Sequence, residues 1–347
     1  MNKLLILLIL ITIVTISGCV SQGEQPNKKT ETTTITSKLI AIGQNKYDFE
    51  QPDIYGNKIV FLKNDYRENT IYNFIYDIVS GKTTQMCVNQ NCAELPIIRC
   101  DNPKIYENKV VCIDRRFGYP EIFMYDISTY EEKRLNVNIS DNPPTTDFEF
   151  FGDYILWANP YLDKTKIYFY NLKTETSGTF SIGELNNGDI NSGQFSVYED
   201  KIVWAGSTGI GTHYNIFLYY ISKNSTRRIS QVNSEQVEPS IYKNKIVWSD
   251  NRNGVNNFDI YMYDLETDQE TQITKYRDTS ERNPSIYGDK IVYFKGTDVF
   301  LYDSSTGLEK KISNDDLDKS HLQIFENKIV WEGFSGDDKV IYLYITN

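Results

Sequence analysis

One ten-residue phrase recurs seven times along the chain, and it limits the possible folds more than any other feature of the sequence. The copies are IYGNKIVFLK from Ile54, IYENKVVCID from Ile105, FFGDYILWAN from Phe150, VYEDKIVWAG from Val197, IYKNKIVWSD from Ile241, IYGDKIVYFK from Ile286 and IFENKIVWEG from Ile324. Aligned on Lys58, Lys109, Tyr154, Lys201, Lys245, Lys290 and Lys328, they step by 51, 45, 47, 44, 45 and 38 residues. A period of that size matches a four-stranded propeller blade. Each copy resolves into four short runs, as in PSIY, NKIVWSD, DIYMYDL and ETQIT between Pro239 and Thr274. Helical periodicity is absent.

The pattern inside each copy supports the same fold. The second and third runs, KIVW and IYMY, are apolar at consecutive positions, as expected of strands covered on both faces. The aromatic column Phe61, Trp157, Trp204, Trp248, Tyr293 and Trp331, with Cys112 in the second copy, would fill the gaps between blades. Most of the 26 tyrosines are assigned to this interblade core. Two-residue links of Gly, Glu or Lys followed by Asn or Asp join the first two runs, and Gly, Asn and Asp tolerate the positive φ of a tight hairpin. The last copy stops after its third run, VIYLYITN, while KLIAI (Lys38 to Ile42) precedes the first copy unpaired. The expected fold is therefore all-β, a seven-bladed propeller of four-stranded antiparallel blades over 38–347. The N-terminal strand closes the last blade and leaves no long open edge. The repeat NKIVWSDNRNGVNNFDIYMYDLETDQETQIT resembles the TolB-type (WD40-like) propeller repeat of prokaryotic cell-surface proteins. It lacks that repeat's Pro-Asp-Gly turn, and no partner-binding residue carries over.

The N-terminus reads as an address. Lys3, the apolar run LLILLILITIVTI from Leu4, and the small residues Ser17 and Gly18 before Cys19 make residues 1–18 a signal peptide. ISGC, Ile16 to Cys19, resembles the lipobox of lipoproteins, which implies cleavage before Cys19 and an acyl lipid such as palmitate on it. Two chains of such a lipid anchor stably where one binds marginally. Residues 19–37 then form a lipidated Cys and a polar tether, and the propeller stands on the extracytoplasmic face of the cell membrane. In such a chain the even set Cys87, Cys92, Cys100 and Cys112 suggests two disulfides, with proximity favouring Cys87–Cys92 and Cys100–Cys112 among three pairings. Zinc is the alternative, but no C-x-x-C pair is present. Asn138 and Asn224 head glycosylation sequons.

With 36 basic against 47 acidic side chains, the chain offers nucleic acid no basic stripe. Enzyme signatures fail one by one. The chain has two histidines, His213 and His321, and GFSGD from Gly333 has Asp337 where a nucleophile elbow needs Gly. GIGTHY from Gly209 lacks the third Gly of a dinucleotide loop. NDDLDK (Asn314 to Lys319) places Asn314, Asp316 and Asp318 in calcium-loop alternation, but Lys319 stands where that loop requires Gly. No cofactor or metal is expected.

A candidate site remains where the innermost strand begins. The column Gln51, Asn102, Asp147, Gln194, Glu238, Asn283 and His321 is polar in every copy. Two residues on stand Asp53, Lys104, Glu149, Ser196, Ser240, Ser285 and Gln323. A period of two sets both columns facing a central channel, where they either satisfy water and backbone or hold a cation, an amine or a peptide terminus. Enzymatic use would require Arg115, Arg116, Asp147 and Glu238 to converge. Long, variable links on the same face of the disc, carrying Tyr66, Phe117, Tyr119, Tyr161 and Tyr214, suit binding. The expected role is a membrane-anchored binding or scaffold module for a protein, peptide or glycan partner on the loop-rich face. A channel-mouth lyase or hydrolase and a structural envelope component are the alternatives.

Overall fold

The computed structural model describes residues 36–41, 47–65, 70–86, 100–135, 148–158, 166–181, 190–207, 213–313 and 315–346, all of them in strands, turns and links. The compact unit that holds them spans Ile35–Asn347. After β1 (Thr36–Ala41), six blades follow in chain order, each a sheet in which consecutive strands pair antiparallel from the inside outward. Blade 1 is β2 (Tyr47–Tyr55), β3 (Lys58–Asp65), β4 (Thr70–Asp77) and β5 (Lys82–Gln85). Blade 2 is β6 (Cys100–Tyr106), β7 (Lys109–Asp114), β8 (Glu121–Asp126) and β9 (Glu131–Arg134). Blade 3 is β10 (Phe148–Phe151), β11 (Tyr154–Ala158), β12 (Lys166–Asn171) and β13 (Thr176–Ser181). Blade 4 is β14 (Ile190–Tyr198), β15 (Lys201–Gly206), β16 (Asn215–Tyr220) and β17 (Ser225–Arg228). Blade 5 is β18 (Gln236–Tyr242), β19 (Lys245–Asp250), β20 (Asp259–Asp264) and β21 (Gln269–Gln272). Blade 6 is β22 (Glu281–Tyr287), β23 (Lys290–Lys295), β24 (Asp298–Asp303) and β25 (Leu308–Lys311).

The seventh blade takes three strands from the C-terminal repeat, β26 (Ser320–Phe325), β27 (Lys328–Ser335) and β28 (Asp338–Ile345), and its fourth from β1. Thr36 pairs with Ile345 and Lys38 with Leu343, so the closing strand begins two residues before the run expected from the sequence. This is the predicted closure, and it pairs the outer edge of β28 that the last repeat leaves open.

Burial follows the apolar runs. Ile59, Val60 and Phe61 on β3 are fully buried, as are Ile246, Val247 and Trp248 on β19. The aromatic column is sealed from solvent, and each member stacks on a ring of the next strand, as with Trp204 on Phe217 at 5.5 Å and Trp331 on Tyr342 at 5.4 Å. In blade 2 Cys112 occupies the column and is bonded to Cys100, with Cα atoms 5.3 Å apart, as the proximity pairing predicted. Cys19, Cys87 and Cys92 lie outside the described residues.

The inner hairpins differ from expectation in one detail. Positive φ falls on the first link residue, Gly56, Glu107, Gly152, Glu199, Lys243, Gly288 or Glu326, and not on the Asn or Asp that follows. That second residue has another task, because its carbonyl accepts the N–H just beyond the third strand in every blade, from Ile78 to Asn57 through Thr346 to Asn327. These bonds tie the inner hairpin to the third strand on the turn face.

Replacing Trp248, fully buried between blades, by Ala should lower the unfolding free energy by about 3–5 kcal/mol in urea titration. A chain starting at residue 44, and so lacking β1, should unfold at lower urea with one transition. An unchanged midpoint would show that β1 does not close the ring.

Candidate functional site

The seven inner strands surround a channel, and a backbone distortion shapes its mouth. Gln51, Asn102, Glu238, Asn283 and His321 all have left-handed φ between 50° and 58°. At each of these sites the ladder slips, for example between Glu50 and Asp53 on β2 and between Ser320 and Gln323 on β26. Such slips are β-bulges, and the Pro that follows in four of the five has no ladder donor to lose there. The expected simple alternation is thereby broken, since Pro239, Pro284 and Leu322 border the channel together with the polar residues on either side.

The bulge also accounts for the polarity of the first column. Its turned-out N–H needs an acceptor, and the neighbouring blade supplies one. Asn102 N–H donates to Gln51 Oε1 at 2.8 Å, and Asn283 N–H donates to Glu238 Oε2 at 2.8 Å. His321 fills this column in blade 7, and there Glu332 of β27 serves instead, accepting from Gln51 N–H at 3.1 Å. The second column repeats the pattern, with Ile105 N–H donating to Asp53 at 2.7 Å and Ile241 N–H to Ser196 at 3.4 Å.

Charges at the mouth come in pairs. Lys104 meets Glu149 at 3.3 Å, and the Arg282 guanidinium meets Glu238 at 2.6 Å. His321 Nδ1 lies 3.1 Å from Glu332, and Lys339 lies 3.4 Å from the same carboxylate. Burial would raise the Glu332 pKa, but the His321 hydrogen bond and charge, the Gln51 N–H and Lys339 together hold it at about 2. Asp53 moves the other way: burial raises it, with Lys104 and the Ile105 N–H opposing.

Below the mouth lie two connected spaces. An upper funnel of about 450 Å³ is bordered by both polar columns, and a lower chamber of about 260 Å³ shares the second column with it. The chamber ends on seven aromatic rings, Tyr55, Tyr106, Phe151, Tyr198, Tyr242, Tyr287 and Phe325, one from each inner strand. Neighbouring centroids are 4.2 to 5.0 Å apart around a closed circuit, and Phe325 returns to Tyr55 at 4.6 Å. Interplanar angles of 37° to 64° bracket one seventh of a full turn, so the rings follow the sevenfold order of the blades around the channel. Burial, then neighbouring hydroxyls and acids, push Tyr106 up to about 12 and raise Tyr198 and Tyr287.

Gln51, Asn102, Glu238, Asn283 and His321 thus share one left-handed position on their inner strands, and Asn102, Glu238, Asn283 and His321 border the funnel. Asp147 lies outside the described residues, and Gln194 is on β14 with its side chain undescribed. The four-residue convergence does not form around the described members. Arg116 is bound to Asp114 and Glu132 within blade 2, Arg115 is 3.5 Å from Asp101, and Glu238 pairs with Arg282. Phe117 and Tyr119 do project from the β7–β8 link, 56% and 71% exposed. Among the described residues no three His, Cys, Asp or Glu side chains gather as metal ligands. The sequence reading missed Glu332, Arg282 and the aromatic floor. Counting on by two from Asp53 reaches Tyr55 and would have found the floor, and Glu332 stands where its aligned copies have Leu62, Ile113, Ala158, Ala205, Ser249 and Phe294.

A scan against protein-family models finds no match, and a search of curated proteins finds none. Solved structures share the fold. The β-propeller domain of the Trilobed protease from Pyrococcus furiosus aligns with a TM-score of 0.65 at 13% identity, covering 87% of this chain and 94% of that one. Oligogalacturonate lyase in complex with manganese aligns at 0.60 and 12%, covering 91% and 94%. The Pyrococcus horikoshii acylaminoacyl peptidase aligns at 0.62 and 12%, covering 86% of this chain but 51% of that one. The chain is a β-propeller protein.

Because the folded Glu332 carboxyl is depressed to about 2 from an ordinary 4.5, its contribution to stability is complete above pH 4.5 and is lost as pH falls toward 2. Urea midpoints measured across that range should fall steeply for the native chain and less steeply for Glu332→Gln. Parallel curves would remove the carboxylate from this role.

Proposed function

We propose that this is a TolB-type propeller held outside the cell membrane by a lipid on Cys19, and that its funnel binds an uncharged, hydrogen-bonding segment of a glycan or peptide. The observation that carries the reading is the lining. The charged groups at the mouth are in internal pairs, which leaves Ser196, Ser240, Ser285 and Gln323 beside the apolar edges of Phe148, Phe195 and Pro239. Convergent polar groups among apolar walls in a concave site favour a ligand of mixed character. The long links of the loop-rich face add further contacts around the mouth.

A second reading draws on the His321–Glu332 pair. A carboxylate on Nδ1 fixes the ring's orientation and leaves Nε2 to act on a proton, as a general base requires. His321 is 46% exposed at the mouth, and fold neighbours include peptidases and a lyase. In this reading the funnel holds the substrate and His321 abstracts or returns the proton.

Arrays of neutral oligosaccharides and of capped peptides, probed with residues 38–347, test the first reading against Ser240→Trp. Ser240 borders both spaces, so the larger ring should reduce retained binding about tenfold or more while thermal unfolding stays in place. Equal binding by both proteins rejects the funnel as the site. Turnover of a bound ligand that disappears in His321→Gln would favour the second reading. Labelled palmitate should enter the native chain and not Cys19→Ala; equal labelling rejects the anchor.

A further inference from the structure

The link entering blade 7 carries the half-formed calcium motif, and its residues take other parts than that motif assigns. Asp316 is 90% exposed and Asp318 is also exposed, so the alternating acids do not turn inward. The residue that does turn inward is Lys319, whose side chain is 1% exposed. Its ammonium is surrounded by four oxygens: the carbonyls of Leu317 at 2.7 Å, Thr297 at 3.0 Å and Asp315 at 3.1 Å, and the Asp315 carboxylate at 2.7 Å. An ammonium has three N–H donors, so four oxygens around it make a shell of the kind that encloses an ion. Oxygen distances of 2.7 to 3.1 Å exceed the 2.3–2.6 Å of calcium. They suit a monovalent cation of ammonium or potassium size.

The shell draws on separate elements. Thr297 belongs to the β23–β24 turn of blade 6, whereas Asp315 and Leu317 belong to the link into blade 7. The lysine stem passes over Gly333 of β27, where an added Cβ would sit 3.6 Å from Lys319 Cγ and 3.0 Å from the Tyr342 ring. Two residues beyond Lys319 the chain turns left-handed at His321, which reaches Glu332.

We propose that the Lys319 ammonium is a tethered structural cation, filling a monovalent-cation shell in the mouth-face link and positioning His321 against Glu332. Because the ion is part of the chain, the link keeps its form without any dissolved metal. The proposal is independent of what the funnel binds.

Lys319→Ala removes the ion and opens the shell, and Lys319→Met removes the charge but keeps the stem. Both should lower the thermal midpoint by about 5 °C, as expected when the carbonyls of Thr297, Asp315 and Leu317 lose their shared donor. Ethylammonium chloride should restore most of the loss in Lys319→Ala, with potassium chloride restoring part, and neither should restore Lys319→Met, whose stem fills the space. Tetramethylammonium chloride at equal ionic strength should restore nothing. The His321 ring signals, followed by NMR against pH, should shift in Lys319→Ala and return with ethylammonium. If Lys319→Ala aggregates, refolding yield with and without ethylammonium reads the same recovery. No loss in Lys319→Ala, equal recovery by every salt, or recovery confined to calcium chloride would each overturn the assignment.

Discussion

Five inner strands, those of blades 1, 2, 5, 6 and 7, each turn one backbone amide out of their own sheet, and side-chain oxygens of neighbouring strands accept from three of these, at Gln51, Asn102 and Asn283. A left-handed residue cannot send its N–H into the regular ladder, and a buried N–H without an acceptor costs about 1–3 kcal/mol. The previous blade answers with a side-chain oxygen, Gln51 for Asn102 and Glu238 for Asn283. Neighbouring blades are thus joined at the axis by directed bonds as well as by apolar packing. The exception shows what the position requires. Imidazole Nδ1 at His321 is engaged with Glu332 and Ser320, so the acceptor for Gln51 comes from the adjacent strand. That bond joins the last blade to the first.

The same requirement shapes the candidate site. Side chains that accept a neighbour's amide have little freedom to reach a ligand, and the nearby acids already face Lys104, Arg282 or Lys339. A mouth read from sequence as able to hold a cation or an amine is therefore mostly compensated in the folded chain. What faces the funnel beyond these pairs is a set of short hydroxyl and amide groups among apolar edges. The chemistry of the lining thus follows from how the blades are clasped.

The legible parts of this structure are those the chain states seven times. Period, strand order, the buried aromatic column and the closing strand all depend on local patterns averaged over many copies, so chance departures such as Cys112 did not obscure them. The bulge was hidden because a polar residue before Pro reads equally well as regular strand, and φ has no letter of its own. Tyr55 and its counterparts were hidden differently. Their column is as regular as the tryptophans, but Tyr suits an interblade gap as well as a channel floor, and only the count from Asp53 separates the two. Lys319 was beyond reach because its shell is mostly backbone carbonyl, and one of those oxygens belongs to Thr297, twenty-two residues earlier.

What distinguishes one blade from another therefore lies in the departures from the repeat, and one buried position illustrates this. Between blades 4 and 5, Asn215 and Gln236 face each other as neutral amides, 3.5 Å apart, with Ser230 bonded to Gln236 at 2.6 Å. Between blades 5 and 6 the same positions hold Asp259 and Glu281, both buried, with Thr274 in the place of Ser230. Two such acids cannot both remain charged away from water at little cost. Burial, aided by Asp259 and opposed by hydrogen bonds from Thr279 and Thr274, pushes Glu281 up to about 7, and it carries its proton for much of the range below that. Each acid keeps its own donors, Thr279 for Glu281 at 2.8 Å and Asn253 and Gln272 for Asp259 at 2.7 and 3.1 Å. The fold thus accommodates an amide pair between one set of blades and an acid pair between the next. Equivalent mouths between blades consequently differ in how they respond to their surroundings, although their backbones follow one plan.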